Sequence, residues 1–124
     1  MSALGLMAVA LGGAIGGVLR YLISWAIGVQ HVFPWATLSI NIAGSFAIGL
    51  VWGMFGHLDW FQSWGRLFLV VGVLGGFTTF SAFSLETLNL MNDGKATMAL
   101  AYASTSVLVC LLAVWLGERT AQVA

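Results

Sequence analysis

The run Gly72-Val73-Leu74-Gly75-Gly76-Phe77-Thr78-Thr79-Phe80-Ser81 decides how this chain folds. Paired glycines followed by paired threonines make poor helix interior. Glycine forfeits the most backbone entropy, and a β-branched side chain is crowded by the preceding turn. The run nevertheless sits in the middle of an apolar stretch from about Arg66 to Met91, longer than the roughly 20 residues that cross a hydrocarbon core. A break at that depth frees N–H and carbonyl groups that lipid cannot satisfy. It is tolerated only when buried in protein or lining a polar cavity. Two readings stay open: a broken helix, or a continuous one whose glycines merely admit a neighbour.

Working outward, three further apolar stretches surround this one. The first runs from about Ala3 to Gly28 and is followed by a turn over Val29–Pro34. The second covers about Trp35 to Gly56, and a connection over His57–Gly65 leads to Arg66. Asn92-Asp93-Gly94-Lys95 is a tight polar turn by its residue types. The fourth stretch, about Ala96 to Leu116, is expected to stop at Gly117, leaving a polar tail from Glu118-Arg119. Trp25, Trp35, Trp60, Trp64 and Trp115 fall near span ends, where amphipathic rings favour the membrane interface, and Trp52 sits deeper. Residues 1–124 therefore read as a single all-α integral membrane domain of four transmembrane helices, the third of them interrupted.

Composition agrees. The chain is 60% hydrophobic and 6% charged, against roughly 25% charged in a soluble domain. So few charges cannot cover a water-facing surface, so lipid is the expected solvent. No secretory signal is expected, because the first apolar stretch outruns a signal h-region and lacks a basic flank. Zero net charge leaves no electrostatic footprint for nucleic acid. The single Cys110 precludes an intramolecular disulfide. Neither a hydrolytic nor a redox constellation is present, which argues against an enzyme.

Charge also bears on orientation. With four spans, Arg66 and Arg119 belong to one side of the membrane, and Arg20 and Lys95 to the other. Basic residues thus count two against two, and the asymmetry that normally fixes orientation is missing. Such a chain is expected to insert both ways, the alternative being a weak but fixed orientation set by something else; dual insertion makes an antiparallel, dual-topology homodimer natural. If the third helix is broken, breaks from the two copies could meet at the midplane, where their carbonyls would form an oxygen cage suited to a monovalent cation. Glycine pairs spaced by four, Gly12/Gly16, Gly13/Gly17, Gly49/Gly53 and Gly72/Gly76, favour close helix packing.

Polar side chains inside the spans recur at helical spacing. Thr37, Asn41 and Ser45 form one stripe; Tyr102, Ser106 and Cys110 form another. Phe80 and Phe83 share a face just after the break, with Ser81 and Ser84 beside them and Glu86 one turn beyond Phe83. Such stripes either line a narrow pathway or act as interhelical glue. Arg20 and Glu86 are charged within the membrane and so are functional candidates, either paired with each other or facing a wet vestibule. No carboxylate falls at the centre of any span, which disfavours a proton-coupled exporter.

Three segments carry a family resemblance: Gly12-Gly13-Ala14-Ile15-Gly16-Gly17-Val18-Leu19-Arg20-Tyr21, Thr37-Leu38-Ser39-Ile40-Asn41-Ile42-Ala43-Gly44, and Gly72 through Glu86. Together they resemble the small bacterial fluoride channels of the Fluc or CrcB type, over essentially the whole chain. The resemblance implies an antiparallel homodimer in the bacterial inner membrane, with two fluoride pores. It implies a structural sodium ion at the dimer interface, held by backbone carbonyls matching Gly75 and Thr78 here. It assigns fluoride-facing rings to Phe80 and Phe83, a pore-lining donor to Asn41, and a polar track to Tyr102 and Ser106. Thr79 and Ser81 are expected in the same lining, with Arg20 and Glu86 in the vestibule. Cys110 departs from the serine expected on that track, and a thiol is the weaker donor. The expected activity is passive, gradient-driven fluoride efflux. A proton-coupled cation exporter and a non-transporting assembly subunit are the rival readings.

Overall fold

The computed structural model describes residues 1–28 and 30–123; Val29 of the expected first turn lies outside the described residues. Helix α1, Ala3–Ile27, starts at Ser2, whose hydroxyl accepts from the Gly5 N–H at 3.0 Å. It stops at Gly28, whose φ of 89° is open to glycine and strained for other residues. Helix α2 spans Trp35–Phe55. Residues 56–58 then turn the chain, and helical winding resumes at Asp59.

The third span, Phe61–Asn92, thus begins several residues before Arg66, in what the sequence suggested was a connection. Aromatic packing is the reason. Phe61 is fully buried, with its ring centroid 5.9 Å from Trp52 and 5.8 Å from Trp60, both edge to face. Burying that ring draws the polar neighbours Gln62 and Ser63 into helix. The span winds in wide π-type turns over Phe61–Gly65 and Leu67–Leu74, and tightens into α3, Gly75–Phe77. It breaks at Thr78 and Thr79 and resumes as α4, Phe80–Asn92. A turn through Gly94, at φ 76°, leads into α5, Ala96–Val123.

The expected end of the fourth span at Gly117 is corrected: α5 continues six residues further, to Val123. Gly117 is not a helix stop but a contact point. A Cβ there would lie 2.9 Å from the Leu50 nitrogen and closer still to the Phe46 carbonyl of α2. The glycine lets two backbones touch, and the helix runs past it.

The same device builds both tight helix pairs. Against α5, a Cβ on Gly53 would meet the Ala121 methyl at 2.7 Å, and one on Gly49 would strike the Val114 carbonyl. Against the third span, a Cβ on Gly12 would sit 2.9 Å from the Gly72 Cα, and one on Gly16 2.7 Å from the Phe77 nitrogen. Gly76 closes on Gly13 in return. So the glycines of the decisive run do admit a neighbour, and the break falls on the threonines that follow. Gly13 and Gly17 themselves have no atom within 4 Å of a Cβ position. Outside these contacts the surface is apolar, with Leu100, Leu108 and Leu111 each more than 60% exposed. Lipid or a second copy must cover such a surface.

Gly16→Ala is expected to lower the apparent melting temperature in detergent, as overpacking typically costs ~1–3 kcal/mol. Gly13→Ala, into open space, should leave it near wild type. Melting followed by size-exclusion chromatography separates the two variants.

Candidate functional site

Thr78 (φ −85°, ψ 158°) and Thr79 (φ −152°, ψ 122°) are extended, so the helical ladder is cut between α3 and α4. Side chains repair most of the cut. The Thr78 hydroxyl donates to the Leu74 carbonyl at 2.9 Å, backing up the Thr78 N–H at 3.0 Å. The Thr79 hydroxyl caps α4 by accepting from the Ala82 N–H at 3.1 Å. Asn41 of α2 grips the Thr79 peptide from both sides. Its Oδ1 accepts from the Thr79 N–H at 2.9 Å, and its Nδ2 donates to the Thr79 carbonyl at 3.1 Å. From α1, the Arg20 Nε donates to the Gly76 carbonyl at 3.2 Å. The carbonyls of Gly75 and Thr78 take part in none of the hydrogen bonds among the described residues.

The break opens on a groove of about 480 Å³. Asn41, Ser45, Gly75, Thr78, Thr79, Phe80, Phe83, Ser106 and Cys110 are among the residues that line it. The Phe80 and Phe83 rings lie 5.3 Å apart and are tilted by 49°. Phe80 is 76% exposed, an unusual position for a phenylalanine beside polar groups. The Ser106 hydroxyl is buried and has no hydrogen-bond partner. It is the one buried side-chain polar atom left unsatisfied among the described residues, and such atoms call for a ligand or water.

Tyr102 and Glu86 lie outside this groove, one layer behind it. Tyr102 is fully buried, its ring centroid 5.2 Å from Phe83 and tilted by 49° to it. Its hydroxyl donates to Glu86 Oε1 at 3.3 Å, while the Thr37 hydroxyl donates to Glu86 Oε2 at 3.0 Å. Glu86 and Thr37 in turn line a second hollow of about 460 Å³, whose rim holds His31, Asp93 and Lys95. Polar groups therefore run from that hollow through Glu86 and Tyr102 to Ser106 and Asn41.

Several expected site residues are placed differently from their neighbours. Arg20 does not line the second hollow and does not pair with Glu86; each has the other partners given above. Ser81 is exposed, outside the groove lining, and shares a hydrogen bond with the Thr79 hydroxyl at 3.1 Å. Sequence reasoning did not foresee the Thr37–Glu86–Tyr102 cluster, nor the role of Gly44. A Cβ at Gly44 would collide with the Thr78 methyl, so glycine is what lets the break approach α2. The polar stripe on α2 signalled Thr37, but nothing in its spacing named a carboxylate on another helix as its partner.

Four membrane-length helices, a break tied by side chains and a groove beside it define a multi-pass membrane protein. Comparison with known proteins gives the family. The model of the CrcB-like protein, Camphor Resistance (CrcB) family, matches residues 7–118. A relative from Paramagnetospirillum magneticum, named fluoride-specific ion channel FluC, is 51% identical over 120 residues, covering 93% of each chain. Proteins of the same name from Magnetococcus marinus and Rhodospirillum rubrum are 50% and 49% identical, over 88% and 89% of this chain and 90% and 88% of their own lengths. The chain belongs to the CrcB family of fluoride-specific ion channels, and its relatives are named as channels, not enzymes.

Asn41→Asp keeps the acceptor for the Thr79 N–H but sets a carboxylate oxygen against the Thr79 carbonyl. The variant is expected to lose roughly 1–3 kcal/mol of stability, the usual cost of an unsatisfied buried group. Thermal unfolding of the purified protein, with Asn41→Gln as a second variant, measures it.

Proposed function

We propose that this chain conducts fluoride passively out of the bacterial cytoplasm, across the inner membrane, as an antiparallel dimer with two passages. Fluoride enters cells as hydrogen fluoride, dissociates at cytoplasmic pH, and then leaves down its gradient. The observation that carries the reading is the groove at the break, lined by Asn41, Phe80, Phe83 and Ser106, with the Ser106 hydroxyl buried and unpartnered.

Fluoride is small and its dehydration is costly, so a passage must replace water with several weak donors. Asn41 spends one N–H on Thr79 and has a second to offer. Ser106 offers its hydroxyl. Phe80 and Phe83 offer ring edges, which carry the positive end of the aromatic quadrupole. The positive end of α4 lies beside them, where a helix dipole favours an anion. Among the described residues the groove lining includes no charged side chain, so no charge there would trap the ion or hold a coupling proton. That supports conduction over proton-coupled exchange. Glu86, with a hydroxyl on each oxygen, stands at the approach from the second hollow, not in the groove.

Dimerisation is supported by the break itself. Gly75 and Phe80 are exposed at mid-membrane depth beside unpaired carbonyls, a surface that lipid cannot serve. A second copy inserted the other way would bring its own break to the same level. The carbonyls of Gly75 and Thr78 fit a sodium ion, which takes hard oxygen donors. They would hold it between the copies, and its charge would there offset the facing carbonyl dipoles.

Protein-loaded liposomes should release fluoride far faster than chloride; equal rates would contradict the reading. Phe80→Ile or Phe83→Ile should cut fluoride efflux by roughly tenfold, equivalent to about 1.4 kcal/mol of barrier, while dimers persist on a sizing column. Wild-type efflux in both variants would remove the rings from the mechanism.

A further inference from the structure

The carbonyl of Thr78 is held in one direction although no hydrogen bond among the described residues uses it. On its N-terminal side, the Thr78 N–H and hydroxyl both donate to the Leu74 carbonyl, at 3.0 and 2.9 Å. The Thr78 methyl lies so close to Gly44 of α2 that a Cβ there would collide with it. On its C-terminal side, the Thr79 N–H donates to Asn41 Oδ1 at 2.9 Å. That N–H and the Thr78 carbonyl belong to one planar peptide group, and no peptide bond among the described residues is cis. In a trans peptide the two bonds point to opposite sides. Asn41 therefore turns the Thr78 oxygen away from itself. Its Nδ2 meanwhile occupies the Thr79 carbonyl at 3.1 Å, so the side chain cannot rotate without losing two bonds.

We propose that Asn41, besides lining the groove, is a positioning residue for the cation site: by holding the Thr79 N–H it fixes the direction in which the Thr78 carbonyl is offered to sodium. The proposal rests on the sodium reading above. Two effects carry it. An oxygen already held in place loses less freedom on binding than one that must first be turned and ordered. With the Thr78 oxygen coordinated, the Thr79 N–H of the same peptide becomes a stronger donor, and its bond to Asn41 tightens. Sodium binding and the Asn41 contact therefore support each other, and such coupling is reciprocal. Asn41 also sorts the oxygens at the break. The Thr79 carbonyl is spent on its amide and the Gly76 carbonyl on Arg20, which leaves those of Gly75 and Thr78 free of hydrogen bonds. One side chain on α2 thus prepares a carbonyl that it does not itself touch.

The test uses the full chain, purified in detergent, and reads sodium affinity from heat stability instead of transport. Thermal unfolding is followed as sodium chloride replaces N-methylglucamine chloride at constant ionic strength. Wild type should melt higher as sodium rises, and the concentration at which the rise sets in tracks the dissociation constant. Asn41→Leu and Asn41→Ala accept no hydrogen bond, and their onset should need roughly tenfold more sodium or be absent. Asn41→Asp keeps the acceptor, so its onset should stay within about threefold of wild type although it melts lower. Asn41→Leu combined with Ser45→Asp places a carboxylate one turn away without that acceptor, and should not restore the onset. Gly49→Ala loosens the α2–α5 contact and should melt lower at every sodium concentration with a wild-type onset. A wild-type onset in Asn41→Leu or Asn41→Ala would overturn the proposal. So would an Asn41→Asp onset as weak as theirs, a restored double variant, or a shifted onset in Gly49→Ala. If wild type itself gains no stability from sodium, the sodium reading falls and takes the proposal with it.

Discussion

Backbone amides and carbonyls in the hydrocarbon region need partners that lipid cannot supply, and at the break over Thr78 and Thr79 side chains meet most of that demand, leaving the Gly75 and Thr78 carbonyls over. Asn41 pairs both faces of the Thr79 peptide. Thr78 and Thr79 cap the two helix ends they separate, and Arg20 takes the Gly76 carbonyl. These contacts tie α1 and α2 to the interrupted span at one level. Removing any of them leaves a polar group facing lipid or apolar side chains, which is costlier than the contact itself is stabilising.

Such short side chains reach only because the backbones are close, and glycine sets that distance. Gly12 and Gly16 press against the limb that enters the break, and Gly44 makes room for Thr78. In a membrane, where lipid tails are as apolar as leucine, intimate packing and interhelical hydrogen bonds replace the hydrophobic effect as the force between helices. The large apolar side chains accordingly turn outward, and the polar ones are gathered inward along the track from Glu86 to Asn41.

The chemistry of that track follows from what is spent and what is left. Glu86 is occupied by Thr37 and Tyr102, and Asn41 by Thr79. Ser106 is not occupied, and neither is the second Asn41 N–H among the hydrogen bonds of the described residues. A groove lined by uncharged side chains among the described residues, with a spare amide donor, aromatic edges and a helix N-terminus, lies beside the break. Two carbonyls, those of Gly75 and Thr78, are left without a hydrogen bond beside it among the described residues. Both features arise from the same cut in the helix.

The sequence by itself determined the four spans, the location of the break within a few residues, and the identity of the polar stripes. These depend on composition and helical spacing, which are local. It left open whether the third helix was broken or ran on with glycines that merely admit a neighbour, and it misplaced the start of the third span and the end of the fourth. Buried Phe61 extended the one and Gly117, packed on Phe46, continued the other. Only the tertiary structure decided that Arg20 serves the Gly76 carbonyl instead of Glu86, and that Thr37 and Tyr102 share the carboxylate. Those partnerships join residues 16 to 56 positions apart. Spacing along one helix fixes which side chains share a face, but which face a neighbouring helix presents is fixed by how the backbones pack.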